Sequence, residues 1–258
     1  MVNYCDIILN HIYRYRITTL SVINILLFPD KSKEEIREIC NSLINQKFIG
    51  VAQLNPYENY YYLTSKVAKE RYNNKSKKAS EFLEVHQLVE AYAMLAFCCL
   101  QNVKREKLPE HELIEIAKEL TIKNIPKKID TDTDKIPSNN YFKDKDNGKN
   151  VIGWLKVDFG FNHERVAQRI YPIIKKRFNN KYWQRLIIEG SFIITIATGW
   201  KTKAHRLREN INDNLKFKQK ICKYIKNDFN YSFQKNESFP IKVNVCEIPE
   251  LKSLNTKL

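Results

Sequence analysis

Between Lys31 and Gly50 the chain reads KSKEEIREICNSLINQKFIG, a run that leaves little choice of local structure. Apolar residues fall at Ile36, Ile39, Cys40, Leu43 and Ile44, the spacing of one face of an α-helix. Ser32 followed by Glu35 is a capping box, and Gly50 stands just past the expected end. The opposite face carries Lys33, Arg37, Asn41 and Asn45, each about one turn from the next. Such a helix is anchored on one side and polar on the other.

The flanking sequence supplies partners for the apolar face. Residues 3–15 place Ile7, Ile8, His11, Ile12 and Tyr15 at helical spacing. ITTLSVINILLF (17–28) predicts a second helix, capped by Thr18 or Thr19 and stopped by Pro29. After the capped helix, Val51–Leu54 and Asn59–Thr64 read as two short strands about the turn NPYE. Three helices followed by a β-hairpin is the order of a winged helix, here over residues 1–75. In a helix-turn-helix, the second helix of the pair lies in the major groove. Lys33, Arg37, Asn41, Asn45 and Lys47 are therefore candidate DNA contacts. Arg and Asn are suited to base edges and Lys to phosphate. Taken singly, polar residues on an outer helical face are usually just solvated.

Charge points the same way. The 258 residues hold 44 Lys and Arg against 29 acids, a net charge of +15 that attracts phosphate polymers. With 6 glycines and no GxGxxG or GxxxxGK[ST], a phosphate-binding loop is not expected. The six cysteines include no CxxC pair, so neither a disulfide framework nor a zinc site is expected. The first residues lack a basic leader and cleavage site, and AYAMLAFCCL is too short to cross a bilayer. A cytoplasmic protein with reduced thiols is the simpler expectation.

Downstream, NNKSKK (73–78) reads as a connection and residues 79–101 as a long helix apolar on most faces, a core element or a dimer seam. PEHELIEIAKEL (109–120) reads as a helix and residues 121–140 as a linker, so 76–125 is taken as a helical connector. From 126 to 258, strands alternate with helices, as in a small α/β domain. A hairpin turns at Asp146-Asn147-Gly148, a helix covers 162–178, and FIITIAT (192–198) is a buried strand. A basic helix covers 201–211 and a last strand 241–248. Arg165, Arg169, Lys175, Lys176, Arg177, Lys201, Lys203, Arg206 and Arg208 lie on the two helices flanking the buried strand. They form one phosphate-binding surface or are dispersed solubilising charges.

These patterns resemble a known family. RYRITTLSVINILLF, SKEEIREICNSLINQKFI and YYYLTSKVAKE look like the winged helix of the replication-relaxation family of bacterial plasmids and mobile elements. NYFK, VIGWLKVDFGFNHERVAQRIYPIIKKRF and FIITIAT are similar to that family's second domain, a reduced restriction-endonuclease-like, PD-(D/E)xK fold. The family's Glu-Val-Asp triplet aligns with Lys156-Val157-Asp158, and its Pro-Asp with Pro137-Ser138, so two acids are missing. A nuclease of this type needs two or three carboxylates on Mg²⁺. Only Asp158 matches, with Asp134, Asp144, Asp146, Glu164 and Glu189 as conceivable substitutes outside the motif spacing. Asp158 is expected to cap the next helix or pair with a basic neighbour.

The expected chain is thus α+β: a winged helix-turn-helix domain, a helical connector and a degenerate nuclease-like α/β domain. The expected function is duplex-DNA binding for a mobile element, as transcription regulator or replication or mobilisation accessory, without cofactor and without catalysis. One alternative is a divergent nuclease using Asp158 and Mg²⁺. Another is an interaction module that recruits a replication enzyme. A homodimer is compatible with each.

Overall fold

The computed structural model describes residues 4–72, 83–109, 112–113, 115–116, 140–146, 148–159, 170, 172, 174, 186–187, 190–213 and 242–255. These form an α+β structure with two sheets, and none of the described helices is long and apolar enough to cross a membrane. The chain divides into two compact units, residues 1–107 with 253–258, and residues 108–252.

The first unit opens with helix α1 (Tyr4–Tyr15), which buries Ile8, Leu9 and Ile12. Strand β1 (Thr18–Thr19) follows, where a helix over 17–28 was expected. Thr18 and Thr19 instead pair with Tyr61 and Tyr60, because β-branched residues beside a hairpin edge gain more as a strand. Thr19 then caps helix α2 (Leu20–Val22), its hydroxyl accepting from Val22 N at 3.3 Å. The chain continues as a wide turn, Ile23–Leu27, closed by Phe28 N donating to Ile23 O at 3.0 Å. Asn24 Nδ2 donates to Lys31 O at 2.8 Å and pins the connection to the next helix.

That helix, α3 (Lys33–Asn45), carries the expected capping box. Ser32 Oγ accepts from Glu35 N at 3.2 Å, and Glu35 Oε2 accepts from Ser32 N at 2.8 Å. Ile36, Cys40 and Leu43 are fully buried. The helix ends earlier than Gly50. Lys47 takes a left-handed φ of 59°, with Phe48 N donating to Leu43 O at 2.9 Å, the Schellman arrangement on a non-glycine residue. Gly50 lies in strand β2 (Ile49–Asn55), which pairs antiparallel with β3 (Glu58–Leu63); β2 is longer than the sequence suggested, and β3 begins and ends one residue earlier. The sheet order is β1-β3-β2. Ile8, Leu9, Ile12, Ile23, Ile36, Cys40, Leu43, Ile49, Tyr61 and Leu63 make one core. Helix α4 (Ser65–Tyr72), not anticipated from sequence, is tied to α1 by the stacked rings of Tyr13 and Tyr72 and by the Arg71–Asp6 ion pair. Helix α5 (Val85–Cys99) is buried along most of its length, and the short strand β4 (Glu106–Lys107) follows. The expected connection at 73–78 lies outside the described residues.

In the second unit, β5 (Tyr141–Asp146) and β6 (Lys149–Val157) form the expected hairpin. β7 (Phe192–Thr198), buried throughout, runs parallel to β6, and β8 (Lys242–Glu247) runs parallel to β7. Helix α6 (Lys201–Asp213) follows β7, and the last described helix, α7 (Leu251–Asn255), is divided between the two units at Ser253. The expected helix at 162–178 and linker at 121–140 fall almost wholly outside the described residues.

Gly153 faces Phe142 across the hairpin, and a Cβ there would overlap the fully buried Phe142 ring. Gly50 is filled in the same way by Tyr62. Gly153→Ala should therefore cost about 2 kcal/mol in urea unfolding. Phe142→Leu should recover part of that loss in a double-mutant cycle, and additive losses would contradict the contact.

His11 is buried, its ring against Tyr15 at 4.7 Å and its Nε2 without a hydrogen-bond partner among the described residues. Burial, with the Arg14 charge, lowers its pKa to about 4. The unfolded chain binds this proton near pH 6.5 and the folded chain does not. Stability is therefore complete above that pH and is lost as pH falls towards 4, by about 3 kcal/mol. His11→Phe should flatten this part of the pH–stability curve, measured as the difference from the parent chain.

Candidate nucleic-acid interface

On α3, Lys33, Arg37, Asn41 and Asn45 are all exposed, as is Lys47 in the turn beyond. The strip from Arg37 to Asn45 stands opposite the buried Ile36, Cys40 and Leu43, so its direction is set by the core. Arg37 lies near Tyr61 of the hairpin. Burial and Cys40 raise the Tyr61 phenol pKa, and the Arg37 charge opposes them. Arg37 Nη1 is also 3.5 Å from Glu34 Oε1, an exposed pair worth little.

The charge of α3 and the hairpin is close to balanced. α3 holds Lys33 and Arg37 against Glu34, Glu35 and Glu38. Residues 49–63, the hairpin, contain no Lys or Arg and one acid, Glu58. Residues 1–107 hold 15 Lys and Arg against 11 acids, whereas residues 108–258 hold 29 against 18. Most of the net positive charge therefore belongs to the second part of the chain. The α3 face is polar: Arg37, Asn41 and Asn45 can form paired hydrogen bonds, with little net field.

The hairpin presents further polar residues. Register places Val51 opposite Tyr61 and Gln53 opposite Asn59, on the side that carries Ile49 and Leu63 into the core below α3. Val51, Gln53 and Asn59 are exposed. At the tip, Asn55 Oδ1 accepts from Tyr57 N at 2.8 Å and Glu58 N at 3.0 Å, and Tyr57 is 97% exposed. The sequence reading passed over Gln53, Tyr57 and Asn59. Tyr57 was visible as an aromatic residue inside the turn NPYE, where packing gives no reason for one.

In the second unit, Lys201, Arg206 and Arg208 on α6 are exposed, and Arg208 Nη2 donates to Val245 O at 3.0 Å. Lys203 turns inward. Its Nζ lies 2.6 Å from Asp158 Oδ2, with side-chain exposures of 17% and 0%, and 5.6 Å from the Trp200 ring. The contact is an ion pair rather than an aligned hydrogen bond. Of the two expectations for Asp158, pairing with a basic residue is the one seen, although the partner is distant in sequence. Arg165, Arg169, Lys175, Lys176 and Arg177 lie outside the described residues, so the structure brings together only part of the expected basic surface.

Asp158 follows the carboxyl end of β6, where its N–H donates to Ala197 O at 2.9 Å. Asp144 faces Val151 and Asp146 faces Lys149, at the other end of the same strand. Seven residues of strand separate Asp158 from the level of Asp144, roughly 23 Å. These two acids therefore do not join Asp158 around one ion. Asp146 pairs with Lys242 at 2.6 Å. Asp134, Glu164 and Glu189 lie outside the described residues. Among the described residues no three of His, Cys, Asp and Glu converge as a metal site.

Comparison with known proteins found no matching family model, no matching characterised protein and no matching solved structure.

Lys203→Met should leave a buried carboxylate without its cation and cost on the order of 3 kcal/mol in urea unfolding. The double variant with Asp158→Leu should regain much of this. A Lys203→Met chain as stable as the parent would show that the pair is not a constraint.

Proposed function

We propose that the first unit is a winged helix that binds duplex DNA, with α3 in the major groove. The order helix, short strand, helix, helix and hairpin, with sheet order β1-β3-β2, supports this reading. One observation carries it. Arg37, Asn41 and Asn45 form an exposed strip on a helix that is capped at its start, turned sharply at its end, and buried along its other edge. These are the side chains that recognise guanine and adenine edges in pairs of hydrogen bonds. The weak charge of the face assigns sequence-independent attraction to the second part of the chain, where Lys201, Arg206 and Arg208 are exposed.

The second unit is read as a nuclease-like fold that no longer holds a metal, because Lys203 occupies the one acid that matches the resemblance. No cofactor is proposed. On the resemblance to the replication-relaxation family, the protein is read as serving a mobile element, as a regulator or a replication or mobilisation accessory. A protein-contact role is the second reading, favoured by the acids of α3 and the absence of basic residues in the hairpin.

Selection from a random duplex library at physiological salt, with and without Mg²⁺, should enrich one recurring motif without cleavage. Asn41→Ala and Arg37→Ala should each relax one position of that motif and weaken binding roughly 5- to 100-fold. Lys201→Ala should lower affinity for all sequences and reduce the salt dependence, leaving the motif unchanged. A pool with no enriched motif would overturn the reading, and Mg²⁺-dependent cutting would restore the nuclease alternative.

A further inference from the structure

We propose that Tyr57 is a stacking platform for an unpaired base, so that the preferred ligand of the winged helix is duplex DNA with an adjacent single-stranded base, as at an end, fork or bulge. This rests on the DNA-binding reading above and names its substrate class.

The hairpin has two features that must be explained together. Its tip is rigid, since one carboxamide oxygen of Asn55 accepts two backbone N–H groups and Pro56 restricts the turn between them. On that rigid tip the Tyr57 ring is 97% exposed. An aromatic side chain with no intramolecular packing contributes nothing to the core, and a fixed tip holds it at little further entropic cost on binding. The hairpin also lacks any Lys or Arg between residues 49 and 63, so it has no cation with which to grip a phosphate.

Magnitudes decide what such a tip can do. Prising open a paired, stacked base step costs a few kcal/mol, and proteins that do so recover the cost through the extra contacts that a bent duplex offers. A single aromatic ring stacked on a base returns about 1–3 kcal/mol. Without phosphate contacts on the hairpin, one ring does not cover the cost of opening an intact step. A base that is already unpaired presents its face free of that cost, and every base has such a face. Gln53 and Asn59, exposed and paired across the hairpin below the tip, add amide groups able to bond the edge of a base or a sugar oxygen. Six residues of strand separate Asn55 from Ile49, which packs in the core with α3, so the tip stands roughly 20 Å along β2 from that core contact.

The test compares the full chain on two DNA probes of the same duplex sequence, one blunt and one carrying an unpaired 2-aminopurine beside the duplex. The parent should bind the second more tightly, with a change in 2-aminopurine emission on binding. Tyr57→Ala should lose roughly 5- to 100-fold on the unpaired probe and stay within about twofold on the blunt duplex. Tyr57→Trp should retain the preference. Because the side chain is outside the core, unfolding of these variants is not expected, and their urea midpoints should match the parent. Equal loss on both probes, or no loss on either, would overturn the proposal while leaving duplex recognition by α3 standing. Absence of binding to both probes by the parent would overturn the two together.

Discussion

Ile36, Cys40 and Leu43, fully buried on one edge of α3, are the constraint on which the candidate interface depends. Each large side chain removed from water contributes about 1.5–3 kcal/mol, more than any polar contact on the outer face. That burial sets the rotation of the helix. The capping box sets where it begins, and the left-handed Lys47 sets where it ends. Once these are fixed, Arg37, Asn41 and Asn45 have no choice but to face outward. The polar strip is therefore a consequence of the core, and a core variant at Ile36 or Leu43 would disturb the direction of the strip without touching any of its residues.

The same logic operates with charge in the second unit. A carboxylate with no exposed surface is costly unless an opposite charge accompanies it, and Lys203 supplies that charge from the first turn of α6. A lysine on Asp158 does the neutralising work that a divalent ion would do in a nuclease, but it brings no Lewis acid and no activated water. Charge is also divided along the chain. The first part is close to balanced and carries directional hydrogen-bonding groups, whereas the second carries most of the net positive charge. Specificity and attraction can then be varied separately.

Much of this was legible in the sequence because it is local. The capping box, the period of Ile36, Ile39, Cys40 and Leu43, the Asp146-Asn147-Gly148 turn and the apolar run 192–198 are all signals within a dozen residues. What failed to show was long-range. Thr18 and Thr19 sit in a stretch with helical periodicity, and only their distant partners Tyr61 and Tyr60 make them a strand. The partner of Asp158 lies 45 positions further on, across a crossover, so sequence alone left capping and pairing open. Gly50 looked like a helix terminator but is in a strand, because Tyr62 needs the room there and Lys47 accepts the left-handed turn in its place. Tyr57 escaped notice because turns are read for Gly, Pro and Asn rather than for what they display.

The central claim is that the outer face of α3 meets DNA bases. The most direct measurement is NMR of the full chain during titration with its selected duplex, following the side-chain NH₂ signals of Asn41 and Asn45 and the Nε–H of Arg37. The account expects these signals to move early and to be lost as probes when the motif is scrambled, while the buried His11 signal stays in place. Tight, motif-dependent binding that leaves all three unmoved would contradict it and place the recognition surface elsewhere on the chain.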